Sequence, residues 1–377
     1  MLKFLKMHSQ KIRVALIHDW LTDFGGAERV LLALHEIFPD APIFTSFFRP
    51  ENLPMFAEAD VRTSYLQKIP FAKKHHRLFF PFMPAAVESF DLSEFDLVIS
   101  DSSSGCAKGV ITKPETLHIC YCHNPNRALW DGSHEYLRLH ENNFNWLARK
   151  MIPRQLMKMR IWDRVAADRV DYFLANSEFV SKRIQKYYQR DSVVIYPPVE
   201  TKSFSPSEEK AKNYFLAVGR LIPYKRFDLA IQAANVLGVK LRVVGVGPEE
   251  KKLRAMAGPT VQFFGKVSEE ILRRMYRECR ALIFPQVEDF GLTAVEVQAS
   301  GRPVVAFRGG GACETVRPNH SGIFFAEQTV SSLADALQRA SAKRWVKKSI
   351  VKNAERFDVV NFKKNILQFV EEKLSEN

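Results

Sequence analysis

The stretch from Ala281 to Val316, ALIFPQVEDFGLTAVEVQASGRPVVAFRGGGACETV, constrains the fold more than any other part of the chain. An apolar strand ends in a loop that carries Glu288. Gly291 opens a helix, and Glu296 sits inside that helix. Gly301-Arg302-Pro303, a second apolar strand and the triple glycine Gly309 to Gly311 follow. Strand, helix and strand at this length predict a parallel βαβ unit. In such units ligands sit outside the carboxyl ends of the strands. Both glutamates therefore fall near the ligand edge, beside the free N–H groups that begin a helix.

Helix-start N–H groups attract anions and hydroxyl oxygens. Carboxylates can only accept hydrogen bonds, so they suit a ligand rich in hydroxyls. Taken singly, Glu288 reads as a loop charge and Glu296 as a solvated helix residue. Glu296, however, is flanked by Val295 and Val297 on a helix between two buried strands, which favours a polyol site. Glu288, seven residues and then Glu296, with Phe290-Gly291-Leu292 between them, resembles the E-x7-E signature of the GT-B-fold retaining glycosyltransferases, family 4.

At 377 residues the chain is long for one domain and natural for two, and an apolar fraction of 46% permits large cores. No apolar run approaches the roughly 20 residues that span a bilayer. The segment Met1 to Gln10 has two lysines but neither a long apolar core nor a small-residue cleavage site, so no signal peptide is expected. Of the five cysteines, Cys120 and Cys122 would share one face of a strand and read as buried thiols in a reducing cytoplasm. The net charge of +13 suits phosphate-rich partners. Lys73-Lys74-His75-His76-Arg77 precedes Leu78-Phe79-Phe80-Pro81-Phe82-Met83, and a second basic stretch runs from Arg149 through Arg154, Lys158, Arg160 and Arg164 to Arg169. Each alone reads as a solvated surface. Basic and aromatic residues in one segment favour an anionic membrane surface as partner. No zinc-finger, helix-turn-helix or RNP-type pattern occurs, so nucleic acid is not expected.

Along the chain, Lys11 to His18 reads as an opening strand. Asp23 to Arg29 is a glycine turn, and Val30 to Ile37 is an apolar-periodic helix. Further strands are expected at Phe95–Ser100, Leu117–Cys122 and Tyr172–Ala175, giving a four-stranded α/β domain. The proline-rich connector around Tyr196 to Pro206 places a boundary near 195 to 208. A new βα series then starts, with strands at Tyr214–Val218, Leu241–Gly245 and Val261–Phe264. The expected fold is therefore α/β, with residues 1–200 and 201–357 as two Rossmann-like domains. The C-terminal helix, about 358–377, is expected to pack back on the first.

Gly219-Arg220 and Lys225 lie between a strand end and a helix start, where two cations can clamp a diphosphate. A surface loop with two charges is the plainer alternative. Gly245-x-Gly247 lacks the third glycine of a dinucleotide fingerprint. These elements also match the family: Val218-Gly219-Arg220-Leu221 with Lys225 resembles its donor-phosphate segment, Gly25-Gly26 its glycine loop, and Phe264-Gly265 with Val267 its base-contacting turn. His123-Asn124-Pro125-Asn126-Arg127 resembles the H-x-P-x-R segment of a mannosyltransferase-like subgroup.

The resemblance implies a GT-B architecture of two Rossmann-like domains facing a central cleft. It implies a sugar-nucleotide donor held mostly by the second domain and transfer of a hexose with retention. By the same resemblance Arg220 and Lys225 neutralise the leaving diphosphate, Glu288 and the N–H groups of Phe290, Gly291 and Leu292 orient the donor sugar, and Glu296 holds the ribose hydroxyls. Gly219, Lys266 and Val267 complete the donor site. Gly25 and Gly26 let the first domain's backbone approach the diphosphate, and His123 contacts the donor sugar. Read without the family, His123 is equally a hydrogen-bonded histidine beside a proline turn. No Asp-x-Asp ends a strand, so neither a metal nor another cofactor is expected. GDP-mannose is the expected donor, with a UDP-sugar second. A lipid-linked or saccharide acceptor is expected at the cytoplasmic face of the membrane. The competing classes fit less well. A glycoside hydrolase needs no cationic phosphate clamp, and a nicotinamide dehydrogenase needs G-x-G-x-x-G after its first strand. A non-catalytic sugar-nucleotide-binding protein on the same fold is the remaining alternative.

Overall fold

The computed structural model describes residues 12–134, 137, 146–207 and 210–376. Met1 to Lys11 and the Arg149 side chain lie outside the described residues. Contacts divide the chain into two compact units: residues up to Tyr196 together with those from Lys363 onward, and Pro197–Phe362.

The first unit carries β1 (Val14–His18), β2 (Ile43–Thr45), β3 (Val61–Thr63), β4 (Leu97–Ser102), β5 (Leu117–Cys122), β6 (Tyr172–Ala175) and β7 (Ser192–Val194). They form one parallel seven-stranded sheet in the order β3-β2-β1-β4-β5-β6-β7. Four strands were expected in this domain. The three missed, β2, β3 and β7, are only three residues each. Runs that short carry no readable periodicity. The central strands β1, β4 and β5 are buried at every position, because helices cover both faces of a parallel sheet. One face packs on Ala15, Ile17, Phe44 and Val98, with Trp162 against it. Cys120 and Cys122 lie in another cluster with Phe173 and Tyr188, both as free thiols, whereas Cys313 in the second unit is exposed. The first helix runs Gly26–Ile37 and so starts at the second glycine rather than at Val30.

The second unit carries β8 (Phe215–Val218), β9 (Leu241–Val244), β10 (Val261–Phe263), β11 (Ala281–Phe284), β12 (Val304–Phe307) and β13 (Gly322–Phe325). The order is β10-β9-β8-β11-β12-β13, all parallel. Strand order reverses between β1 and β4 in the first sheet and between β8 and β11 in the second. Such reversals open a crevice at the carboxyl edge where α/β sheets bind ligands. The last helix, Val359–Glu376, belongs to the first unit from Lys363 onward. There Lys363 pairs with Glu36 at 2.5 Å, and Phe369 meets the Tyr172 ring edge-on at 5.9 Å.

Candidate active site

In the second unit the reversal between β8 and β11 brings Gly219, Lys225 and Glu288 together. Gly219 follows β8, Lys225 sits in a short turn at Pro223–Lys225, and the adjacent helix starts at Phe227. Lys225 Nζ pairs with Glu288 Oε1 at 2.7 Å, and both side chains are mostly buried. Gly219 has φ of +148°, and a Cβ on it would lie 3.2 Å from Lys225 Nζ. A side chain there would be strained and would push the lysine off its partner. Arg220, the other expected cation, is exposed and forms no ion pair with a described residue. The turn therefore holds one committed cation and one open to solvent.

Glu288 is fixed from the opposite side as well, where Gly311 N–H donates to its carbonyl at 2.9 Å. Phe290 is buried and packs edge-on against Phe357 with ring centroids 5.3 Å apart. Gly291 caps the helix Leu292–Ala299 with φ of +95°. A Cβ there would approach Phe284 Cζ to 2.9 Å, so only glycine makes this entry without strain. Glu296 is buried on that helix, and Tyr276 O–H donates to its Oε2 at 2.9 Å. Tyr276, which pattern reasoning had not marked, holds this carboxylate in place. Lys266 is exposed and Val267 half-buried, in the turn before Ser268 caps the helix Glu269–Glu278. Gly265 in this turn has φ of +64°.

In the first unit, parallel register sets His18 at the end of β1 opposite Asp101 on β4. His123 follows β5, the next strand over. His18 Nδ1 lies 2.9 Å from Asp101 Oδ2, and His123 Nε2 lies 2.6 Å from Asp101 Oδ1. The other His18 nitrogen faces Glu28 Oε1 at 3.5 Å, from the first turn of the helix that Gly25 caps. The result is a line Glu28–His18–Asp101–His123 running from the glycine turn to the candidate histidine. Burial alone would lower the His18 pKa, but the hydrogen bond to Asp101 and the nearby Glu28 carboxylate outweigh it and raise it to about 10. Burial would raise Asp101, but its contacts with His123 and His18 hold it below the usual carboxylate value. Gly25 is extended, with φ of −149°, and a Cβ there would meet Glu28 Oε2 at 3.0 Å. Its lack of a side chain thus serves close approach rather than an unusual backbone angle.

Of the expected residues, the structure joins Gly219, Lys225 and Glu288 in one cluster, and links Gly25 and Gly26 to His123 through side chains that pattern reasoning had passed over. His18 and Asp101 were detectable. His18 ends an otherwise apolar strand and Asp101 lies between Ser100 and Ser102 at the polar end of β4, both where a buried charge calls for a partner. Among the described residues, no group of three or more His, Cys, Asp or Glu is placed to hold a metal ion.

Comparison with known proteins matches two family models side by side. Residues 24–203 match Glycosyltransferase Family 4, and residues 198–357 match Glycosyl transferases group 1. A D-inositol 3-phosphate glycosyltransferase of Streptomyces bingchenggensis is 30% identical over 230 residues, 51% of this chain and 50% of that one. The chain spans about half the length of the curated relatives it matches. Among solved structures, Anabaena HepE in complex with UDP superposes with TM-score 0.71 at 19% identity, covering 96% of this chain and 100% of that one. The apo lipopolysaccharide outer core galactosyltransferase WaaB gives 0.67 at 18%, with the same coverage. At such identities the superpositions speak to the fold. Two parallel-sheet Rossmann-like units, with a charged cluster at each sheet reversal, match the GT-B architecture of these glycosyltransferase structures. The two glycosyltransferase models lie end to end, the family 4 model on the first half of the chain and the group 1 model on the second.

Proposed function

We propose that the chain is a retaining hexosyltransferase that moves mannose from GDP-mannose to a lipid-linked saccharide or similar acceptor in cell-surface polysaccharide or glycolipid synthesis. The observation that carries the reading is the Lys225–Glu288 pair seated against Gly219 at the carboxyl edge of the second sheet. A cation and a carboxylate held there can serve the two ends of a sugar nucleotide, its diphosphate and its hydroxylated sugar. The mannosyl assignment rests on the likeness of the His123 to Arg127 segment to the mannosyltransferase subgroup.

In this reading the bond from the sugar's C1 to the β-phosphate oxygen breaks as the acceptor oxygen bonds to C1 on the same face. The acceptor's proton passes to the departing phosphate oxygen, so no protein nucleophile is needed. Charge grows on the diphosphate, where Arg220 and Lys225 stabilise it. Glu288 and the N–H groups of Phe290, Gly291 and Leu292 orient the sugar. Glu296, held by Tyr276, takes the ribose hydroxyls, while Gly219, Lys266 and Val267 line the nucleotide. Gly25 and Gly26 admit the diphosphate to the first unit's backbone. His123, with Nε2 engaged by Asp101, presents Nδ1 to the sugar. No metal enters the scheme.

A UDP-sugar donor is the second reading. The observation favouring it is that HepE, alike in fold over 96% of this chain, was crystallised with UDP. Thermal shift with GDP, UDP, GDP-mannose, UDP-glucose and NAD decides between them, since a ligand at a hundredfold its Kd adds about 2.7 kcal/mol to stability. Stabilisation by GDP and GDP-mannose that Arg220→Ala abolishes supports the mannosyl donor. Preference for UDP keeps the transferase and replaces the sugar. Nucleotide binding without transfer of radiolabelled sugar to a bacterial lipid extract supports a binding protein.

A further inference from the structure

We infer that the first unit carries a two-part docking surface for an anionic membrane, formed by the segment Tyr65–Phe82 and the outer face of the helix Trp146–Ala166. The inference gives the lipid-linked acceptor proposed above a place to meet the enzyme, and it rests on that reading for its purpose only.

The first part is a run of short 3-10 turns. From Val61 to Val87 there are five Lys or Arg residues and no Asp or Glu. Leu66, Ala72, His76 and Met83 are buried and fasten the segment to the core. Between these anchors Phe71 is 79% exposed, Leu78 75% and Phe82 58%, with Lys73, Lys74 and Arg77 exposed among them. The anchors stop the exposed rings from turning inward. Phe71 also holds φ of +62°, a left-handed backbone that costs energy for an aromatic residue.

The second part repeats the chemistry on a regular element. On the helix Trp146–Ala166, Arg154, Met157, Lys158, Ile161 and Val165 are exposed at the three- and four-residue spacing of a single helical face. Asp163 is the only acid on the helix, and it is buried and paired with Lys108 at 2.5 Å. The solvent side of the helix is therefore apolar and cationic, the pattern of a helix lying in a lipid interface. The two parts are neighbours. Trp162, between Ile161 and Asp163, turns inward and donates to Glu88 Oε1 at 2.8 Å, and Glu88 ends the helix that follows Phe82.

Charge complementarity selects the occupant. Clustered lysines and arginines bracketing exposed rings match a surface of anionic headgroups over acyl chains. A second copy of this chain would bring like charge against like. Among the described residues no helix is long and apolar enough to cross a membrane.

The test is co-sedimentation of the full chain with vesicles of phosphatidylcholine alone and with 30% phosphatidylglycerol. Each basic residue at an anionic surface is worth about a fivefold change in partition. Wild type should sediment with the anionic vesicles only. Lys73→Glu/Lys74→Glu should weaken partition by more than about twentyfold, and Phe71→Ser/Leu78→Ser and Met157→Ser/Ile161→Ser should each weaken it while leaving Tm and the nucleotide-induced thermal shift unchanged. The unchanged nucleotide response separates a failure of the membrane surface from a failure of the transfer reading. The inference is overturned if wild type ignores anionic vesicles, or if the variants partition like wild type. It is also overturned if sedimentation velocity shows a dimer that Phe71→Ser/Leu78→Ser dissolves, which would assign the face to a second copy.

Discussion

Asp101→Asn removes one charge from the buried line Glu28–His18–Asp101–His123 and leaves the side chain's shape almost unchanged. His18 is fully buried, and its pKa rises to about 10 in spite of that burial because Asp101 and Glu28 favour its proton. In the unfolded chain the same group titrates near 6.5. A group with a raised folded pKa contributes stability that is complete below the unfolded value and is lost as pH climbs through the folded one. At roughly 1.36 kcal/mol per unit, about 4 kcal/mol of that contribution remains at pH 7. Glu28, 3.5 Å from the ring, cannot hold the proton alone at full strength. We therefore expect Asp101→Asn to cost about 3–4 kcal/mol between pH 6 and 7, close to the usual penalty for breaking a buried pair. For a unit of this size that is a fall in Tm of roughly 6–15 °C. The deficit should shrink toward pH 10, where wild type also loses the His18 proton. Thermal unfolding of both proteins at pH 6, 8 and 10 measures it. A deficit that is the same at all three values, or under about 2 °C at pH 6, would refute the charged line. Turnover adds a second readout. His123 loses the acceptor that sets its ring, so kcat should drop about tenfold to a hundredfold with little change in the donor KM.

Three further outcomes follow from named contacts. Lys225→Met and Glu288→Gln should each reduce kcat about a hundredfold to a thousandfold with Tm nearly unchanged, and near-normal transfer in either would remove that residue from the mechanism. Lys108→Met strands Asp163 in the core with, among the described residues, the Trp130 indole and Tyr188 hydroxyl as its donors, so urea denaturation should show a loss of about 3–5 kcal/mol. Lys108→Met/Asp163→Leu should recover much of that loss, and a single-variant loss under about 1 kcal/mol would contradict the pair. Burial lowers His118 to about 4, so the unfolded chain takes up its proton first and stability falls as pH drops from 6.5 toward 4. His118→Gln should flatten that acid arm of a Tm-against-pH profile, and an unchanged arm would assign it to other groups.

Much of this was legible in the sequence, for physical reasons that differ by element. Strands β5 and β6 were placed residue for residue, because mainly apolar runs ending in polar turns mark their own ends. The Glu288 to Glu296 spacing was readable because a helix start fixes where each carboxylate falls. Edge strands such as β3 were invisible, since three residues held by one or two neighbours need no apolar pattern. The His18–Asp101–His123 line was hidden for another reason. Its members lie 83 and 22 residues apart and meet only through the parallel register of β1, β4 and β5. Tyr276 reaches Glu296 across 20 residues and two elements, and nothing local in the chain announces that bond.

The Lys225–Glu288 pair bears on how the second unit would take its donor. Both side chains are 17% exposed, so the pair is partly solvated and its strength lies nearer a surface ion pair, about 1 kcal/mol, than a buried one. A diphosphate brings two charges and several oxygen acceptors to the same lysine, with the exposed Arg220 in the same turn. In the proposed reading, Lys225 exchanges Glu288 for phosphate when the sugar nucleotide binds. The released carboxylate is left with acceptor capacity and no cation, beside the N–H groups at Phe290 to Leu292, which is the state needed to receive sugar hydroxyls. On this argument the ion pair holds both residues in position before donor arrives and divides between diphosphate and sugar once it binds. The coupling has a measurable consequence: Glu288→Gln should bind the free nucleoside diphosphate at least as tightly as wild type while binding the sugar nucleotide more weakly. Equal weakening toward both ligands would mean that Glu288 acts only by positioning Lys225.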